Sequence, residues 1–152
     1  MEVEQKIESA LPCVLADPVV LSQCLQNLTI NAMKYRGQHN WIGISAKLVA
    51  PEDSAPEIQI SVQDRGIGVR DSELHRIFEP FYRSPEVVAS NIQGTGLGLS
   101  VVQRGVAEMG GRLTATSTLG MGSTFTIHMP ISELVGTPGA VFEPISDSVH
   151  SQ

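Results

Sequence analysis

The sequence predicts an α/β (α+β) two-layer sandwich, with a mixed, mostly antiparallel sheet packed on three helices. Three observations predict it. Residues 41–49 and 57–64 alternate apolar and polar side chains, as half-buried strands do, and 112–118 with 122–130 read as a closing hairpin around "LGMG". Residues 17–36, 71–78 and 97–109 carry helix starts or helix-compatible apolar runs. The two kinds of element mix without strict strand–helix–strand alternation, which argues against a doubly wound parallel sheet.

The elements follow in chain order. "EVEQKIESALPCVLA" is extended and interrupted at Pro12. In "DPVVLSQCLQNLTINAMKYR", Asp17 is a natural N-cap, Pro18 suits the first helical position, and Gly37 ends the helix. The two central strands are joined by the proline-containing "APEDSAP". After "DRGIGV" a short helix, "DSELHRIF", is expected to be capped by Asp71 or Ser72, and residues 79–96 are expected to form a long polar loop. The last helix starts near Leu97 and stops at Gly110 and Gly111. The domain is expected to span residues 1–131, and residues 132–152, which lose periodicity, to form a flexible tail on which Val141 and Phe142 could dock elsewhere.

Composition bounds the function. With 152 residues, 41% of them apolar, the chain can bury a core as one soluble domain. A net charge of −6 without a Lys/Arg run excludes the clustered positive footprint that nucleic acid or an anionic membrane needs. No stretch approaches the roughly 20 apolar residues of a membrane span, and "MEVEQKIESA" lacks the regions of a signal peptide. Cys13 and Cys24 stand alone, which suits a reducing compartment and argues against a disulfide framework or a zinc site. A cytoplasmic location is expected, whatever anchors a longer parent.

Three stretches carry chemistry. At about 100° per residue the first helix places Leu21, Leu25, Leu28 and Ala32 on one stripe, and Asn27, Asn31 and Lys34 on a polar stripe beside it. That polar stripe reads equally as a solvated face, yet two mid-helix asparagines give up helix propensity, and an amide oxygen can ligate Mg²⁺ while an ammonium meets phosphate. In "VQDRGIGV", Asp64 closes a strand and Gly66 and Gly68 let the chain turn or let a flat ligand approach. This is an ordinary turn or a carboxylate that accepts from the amino group of a buried base. In "QGTGLGLS", glycines 94, 96 and 98 stand before a helix, where backbone N–H groups and the helix dipole can cradle phosphate, or where glycines can hinge a lid. The stretch lacks the Gly-Lys-Ser/Thr of a P-loop, and residue 99 is Leu where a dinucleotide fingerprint wants glycine.

"NLTINAMKY", "DRGIGV", "FEPFYR" and "GTGLGLS", in this order and spacing, resemble the N, G1, F and G2 boxes of the catalytic ATP-binding domain of sensor histidine kinases. The ending "GGRLTATSTLGMGSTFTIHMP" matches that domain as well, so the resemblance covers residues 10 to 130 or so. It implies the histidine kinase-like ATPase (Bergerat) fold shared with gyrase, MutL and heat-shock chaperones. It also implies ATP and Mg²⁺ as cofactors, with Asn31 as metal ligand and Lys34 at a phosphate, these two being the catalytic pair. Tyr35 walls the pocket, Asp64 reads adenine, and Gly66 and Gly68 permit close approach. Gly94, Thr95, Gly96, Leu97, Gly98 and Leu99 are implied to form the phosphate end of the lid, Arg83 to meet the terminal phosphate, and Ser123 to stand near the adenine. Phe78 and Phe81 resemble the F-box aromatics that anchor the lid and face a phosphoacceptor domain.

The related ATPases carry a glutamate four residues before the metal-binding asparagine, as the base that activates water. Here that position, which borders the nucleotide, is Asn27. An amide takes up no proton, so phosphoryl transfer is expected rather than efficient hydrolysis. His39, His75, His128 and His150 lie outside the family's phosphoacceptor pattern, so the acceptor is expected on a separate dimerisation/phosphoacceptor domain of the same parent, with a response regulator as indirect partner. The isolated chain is expected to be a monomer that does not autophosphorylate. The alternatives are an anti-sigma-type serine/threonine kinase on the same fold, which usually keeps the glutamate, or a non-catalytic nucleotide-sensing module. An oxidoreductase is weakest, since no ribose-reading acid follows the glycines.

Overall fold

The computed structural model describes residues 1–92, 94 and 96–131. Among these residues five strands form one sheet: β1 (Glu2–Ile7), β2 (Trp41–Val49), β3 (Glu57–Asp64), β4 (Arg112–Thr118) and β5 (Gly122–Pro130), in the order β1-β2-β3-β5-β4. Only β1 and β2 run parallel; every other pairing is antiparallel, as expected. Helices α1 (Pro18–Lys34) and α3 (Gly98–Glu108) and a 3-10 helix (Asp71–Arg76) pack on the sheet.

Alternation decides which face they cover. Ile58, Val62 and Asp64 on β3 share a face with Ile127 and Phe125 on β5 and with Ile42 on β2. These side chains meet Cys24, Leu28 and Ala32 from α1 and Val102 and Val106 from α3 in one core. Each fully buried aliphatic there contributes about 1.5–3 kcal/mol. Cys24 is buried in that core and acts as a small apolar residue, with burial raising its thiol pKa. The two long helices approach closely at Gly105, where an added Cβ would stand 3.0 Å from Cys24 Sγ. The opposite face, read from the register, is polar, and the Ser61 and Thr126 hydroxyls pair across it at 2.8 Å.

Asp17 caps α1 as expected, its Oδ1 accepting the Val19 N–H at 2.9 Å, and Pro18 opens the helix. Two expectations need correction. Residues 79–96 contain a helix, α2 (Pro85–Ala89), whose N-cap Ser84 accepts the Val87 N–H at 3.3 Å. "SPE" is a helix-start signature, and the surrounding polar residues hid it. The piece at 71–78 is a single 3-10 element ending at Arg76, and its N-cap is Arg70, with no side-chain cap from Asp71 or Ser72. The tail at 132–152, with its Val141 and Phe142, lies outside the described residues. Among the described residues no helix is long and apolar enough to cross a membrane.

Candidate functional site

One cleft opens between α1, the end of β3 and the segment leading into α3. Asn27, Asn31, Lys34, Tyr35, Asp64, Gly68, Arg83, Gly94, Gly96, Gly98, Leu99 and Ser123 all line it. Twelve residues scattered over a hundred positions of sequence therefore share one wall. Of the other expected residues, Gly66 and Leu97 do not line the cleft, and Thr95 lies outside the described residues. Gly66 stands behind the wall, and Leu97 is the N-cap of α3.

At the inner end Asp64 is 5% exposed. Its Oδ1 accepts the Gly66 N–H at 2.8 Å, and the Ser123 N–H also bonds the carboxylate. Burial pushes its pKa up, and these two donors offset that only in part. The loop after Asp64 is pinned from both sides. The Ile67 N–H donates to Tyr35 O at the end of α1, and the Gly120 N–H of the β4–β5 turn donates to Ile67 O. Glycine is required here, because a Cβ at Gly66 would fall 1.7 Å from Tyr35 O and one at Gly68, with φ +68°, would fall 2.1 Å from Thr118 O.

At the outer end the positive groups are left open. Among the described residues Lys34 has no carboxylate partner, and an added Cβ on Gly94 would stand 3.5 Å from its Nζ. Arg83 donates from Nη2 to Ile92 O while its buried Nε has no partner. The Arg83 charge also partly offsets the rise that burial gives the Tyr35 phenol. Gly96, at φ +78°, passes under the F-box segment, where a Cβ would meet Phe81 C at 2.7 Å. The Phe81 N–H donates to Gly96 O at 3.0 Å, and Phe81 itself takes φ +68°, rare for a bulky residue.

The aromatic segment divides its roles. Phe78 packs edge-on against Phe125, centroids 6.4 Å apart, whereas the Phe81 side chain is 71% exposed. Tyr82 lines the cleft, donates its hydroxyl to Glu73 Oε2 and lies 4.5 Å beneath the Arg76 guanidinium. Burial and the Glu73 carboxylate push its phenol up to about 12. Arg70 ties to Glu86 at 2.9 Å, joining the 3-10 helix to α2.

Sequence reasoning missed the apolar wall of Ile30, Ile67, Val69, Ile77, Val87 and Phe125, and the buried Ser84. Apolar liners carry no signal apart from core residues, and Ser84, the N-cap of α2, sat among loop residues that hid it. His128 is 9% exposed, with Nδ1 against Glu57 Oε2 and Nε2 against Thr114 Oγ1 at 2.7 Å. His39 and His75 are exposed. His150 lies outside the described residues.

The cleft fits a nucleotide. It offers an acceptor at a buried apolar end, glycine backbone where Cβ atoms would clash, and two cations, Lys34 and Arg83, with no carboxylate partner among the described residues. Among the described residues no three His, Cys, Asp or Glu side chains converge as a metal cage. A Mg²⁺ that leans on phosphates, water and one amide oxygen needs none.

Residues 16–133 match the family model described as histidine kinase-, DNA gyrase B-, and HSP90-like ATPase. Sensor histidine kinase ZraS of Escherichia coli (strain K12) is 38% identical over 122 residues, 80% of this chain and 24% of that protein. The autoinducer 2 sensor kinase/phosphatase LuxQ of Vibrio cholerae serotype O1 is 37% identical over 127 residues, 84% of this chain and 14% of its own length. This chain thus spans a quarter or less of those two relatives. Among solved structures, full-length ShkA in complex with AMPPNP superposes with TM-score 0.68 at 33% identity, covering 86% of this chain and 26% of that one. The mycobacterial sensor histidine kinase MprB superposes with TM-score 0.70 at 25% identity, covering 86% and 81%.

Proposed function

The chain belongs to the histidine kinase-, DNA gyrase B- and HSP90-like ATPase family, and on that premise we propose that it is the ATP-binding catalytic domain of a sensor histidine kinase in two-component signalling. It binds Mg-ATP and presents the terminal phosphate to a histidine on a dimerisation/phosphoacceptor domain of its parent, from which a response regulator is served in turn. One observation carries the reading: Asn31, Lys34, Asp64 and the glycines of the lid, far apart in sequence, line one cleft whose inner end holds a buried acid.

Each residue has a physical role. Asp64 accepts from the amino group of the purine, held in place by the Gly66 and Ser123 N–H groups. Asn31 supplies an amide oxygen to Mg²⁺, which when bound neutralises phosphate charge. Lys34 and Arg83, which no carboxylate among the described residues pairs, bring positive charge to the phosphates, and the N-terminus of α3 behind Gly98 adds its dipole. Asn27 lines the same cleft one turn before Asn31 and cannot deprotonate water, so the nucleotide is held for transfer rather than hydrolysed. Phe81, exposed beside the lid, supports contact with the acceptor domain.

Incubation with labelled ATP and Mg²⁺ tests the reading. The chain alone should gain no acid-labile phosphohistidine, and adding the parent's dimerisation/phosphoacceptor domain should label that domain. Rapid release of free phosphate without any transfer would refute it.

A further inference from the structure

The Ser117 hydroxyl does not line the cleft, yet it gathers the hydrogen bonds behind its inner end. The β4–β5 register sets Ser117 directly opposite Ser123. Ser117 Oγ stands 2.8 Å from Val69 N, 3.0 Å from Gly122 O and 2.8 Å from Ser123 Oγ. Two of these partners have fixed polarity: the Val69 N–H only donates and Gly122 O only accepts.

A hydroxyl has one proton and two lone pairs. All three contacts are satisfied together in one way only. Ser117 gives its proton to Gly122 O, takes the Val69 N–H on one lone pair, and takes the Ser123 proton on the other. Ser123 lines the cleft, so its proton then points away and it shows the cleft lone pairs alone. Asp64, which lines the same wall and receives the Ser123 N–H, is an acceptor too when ionised.

We infer that Ser117 is a positioning residue that fixes Ser123 as an acceptor and thereby makes the cleft select a purine with an amino group at C6 over one with a carbonyl there. The inference rests on the nucleotide reading above. An exocyclic amino group brings two protons and can satisfy both acceptors directly. A 6-carbonyl brings only lone pairs and meets like against like, which is discrimination by an unpaired polar group. Without the Ser117 hydroxyl, Ser123 is free to rotate its proton into the cleft and serve the carbonyl.

Calorimetric titration with ADP and with inosine diphosphate, which differ only at that edge of the base, tests it in the presence of Mg²⁺. Ser117→Ala should narrow the ADP preference about five- to tenfold, the worth of one hydrogen bond, mainly by tightening inosine diphosphate. Ser117→Thr should keep the preference, and in a Ser123→Ala background Ser117→Ala should leave the ratio untouched. Equal weakening of both nucleotides by Ser117→Ala, or an unchanged ratio, would overturn the inference and leave the nucleotide reading standing. If the unaltered chain bound neither nucleotide, that reading would fall with it, before any Ser117 variant was made. Should Ser117→Ala not fold, Ser117→Cys, whose thiol is a weak donor and acceptor, carries the same expectation.

Discussion

Strand β3 begins at Glu57 and ends at Asp64, and the fold treats these two carboxylates in opposite ways. Glu57 sits on the polar face, where Oε2 meets His128 Nδ1, the Gln59 amide donates at 2.9 Å, and Arg112 Nη2 stands 3.4 Å from both oxygens. Burial alone would raise its pKa, but the bonds from His128 and Gln59, together with the nearby positive charge, hold it below the usual range. Asp64 sits on the core face, has two backbone donors and, among the described residues, no cation partner, and burial raises its pKa. An acid that the protein serves fully is part of its framework. An acid held buried and underserved, as Asp64 is, supports the proposed role of base reader.

The sharpest way to break this contrast is to remove each acid and read affinity. Asp64→Ala should lower ADP affinity by about 100-fold or more, near 2.7 kcal/mol, in calorimetry. Glu57→Ala should leave ADP affinity within about twofold, a change near 0.4 kcal/mol. Similar losses from both would mean that the cleft has no special acid.

The next effect separates the pinned loop from the lid. Gly66→Ala puts a methyl into the Tyr35 carbonyl, so the loop after Asp64 must shift, at about 1–3 kcal/mol of unfolding free energy in urea titration. Gly94→Ala meets nothing closer than 3.5 Å, and its cost should stay within about 0.5 kcal/mol. A destabilising Gly94→Ala alongside a silent Gly66→Ala would reverse the assignment of crowded and open glycine positions.

That division tracks what the sequence could and could not disclose. The strands were legible because alternation against a helix-covered face leaves a period of two, and α1 because Asp17-Pro18 opens it and an apolar stripe runs along it. Asn31, Asp64 and glycines 94, 96 and 98 stood out because two mid-helix asparagines give up propensity and the glycines mark turns. The residues alone left a solvated face, an ordinary turn and a hinge open, and only the resemblance to the kinase boxes implied roles for them. Helix α2 was not legible, since five residues leave no periodicity, and its Ser84-Pro85 start sat among other loop residues. Gly66 shows a related limit. Its spacing shows that the chain must turn, but only the approach of Tyr35 O shows that a side chain there would collide with the end of α1. Glu57 gave no signal at all, because its partners His128 and Arg112 come from strands more than fifty residues away.

A smaller effect concerns metal linkage. Asn31→Ala should remove about tenfold of ATP affinity in Mg²⁺, near 1.4 kcal/mol, and nothing once the ion is chelated. An equal loss under both conditions would make Asn31 a wall of the cleft rather than a ligand.

The smallest effect is the pH dependence of the two acids, and its sign follows from their opposite shifts. Glu57 has a lowered folded pKa, so its stabilising share is present above the ordinary carboxylate pKa of about 4.3 and is lost as pH falls through the lowered value. Glu57→Gln should therefore cost about 1 kcal/mol near neutrality, where one charge-assisted bond is weakened, and less as the solution is acidified. Asp64 has a raised folded pKa, so its favourable share is present below about 3.9 and is lost as pH rises through the raised value. Relative to the unaltered chain, Asp64→Asn should thus fare better at pH 7 than at pH 3, roughly the two limits of that titration. Urea midpoints across this window should shift in opposite directions for the two variants. Parallel shifts would mean that Asp64 is as well served as Glu57, and the case for a buried acid waiting on a base would lose its energetic support.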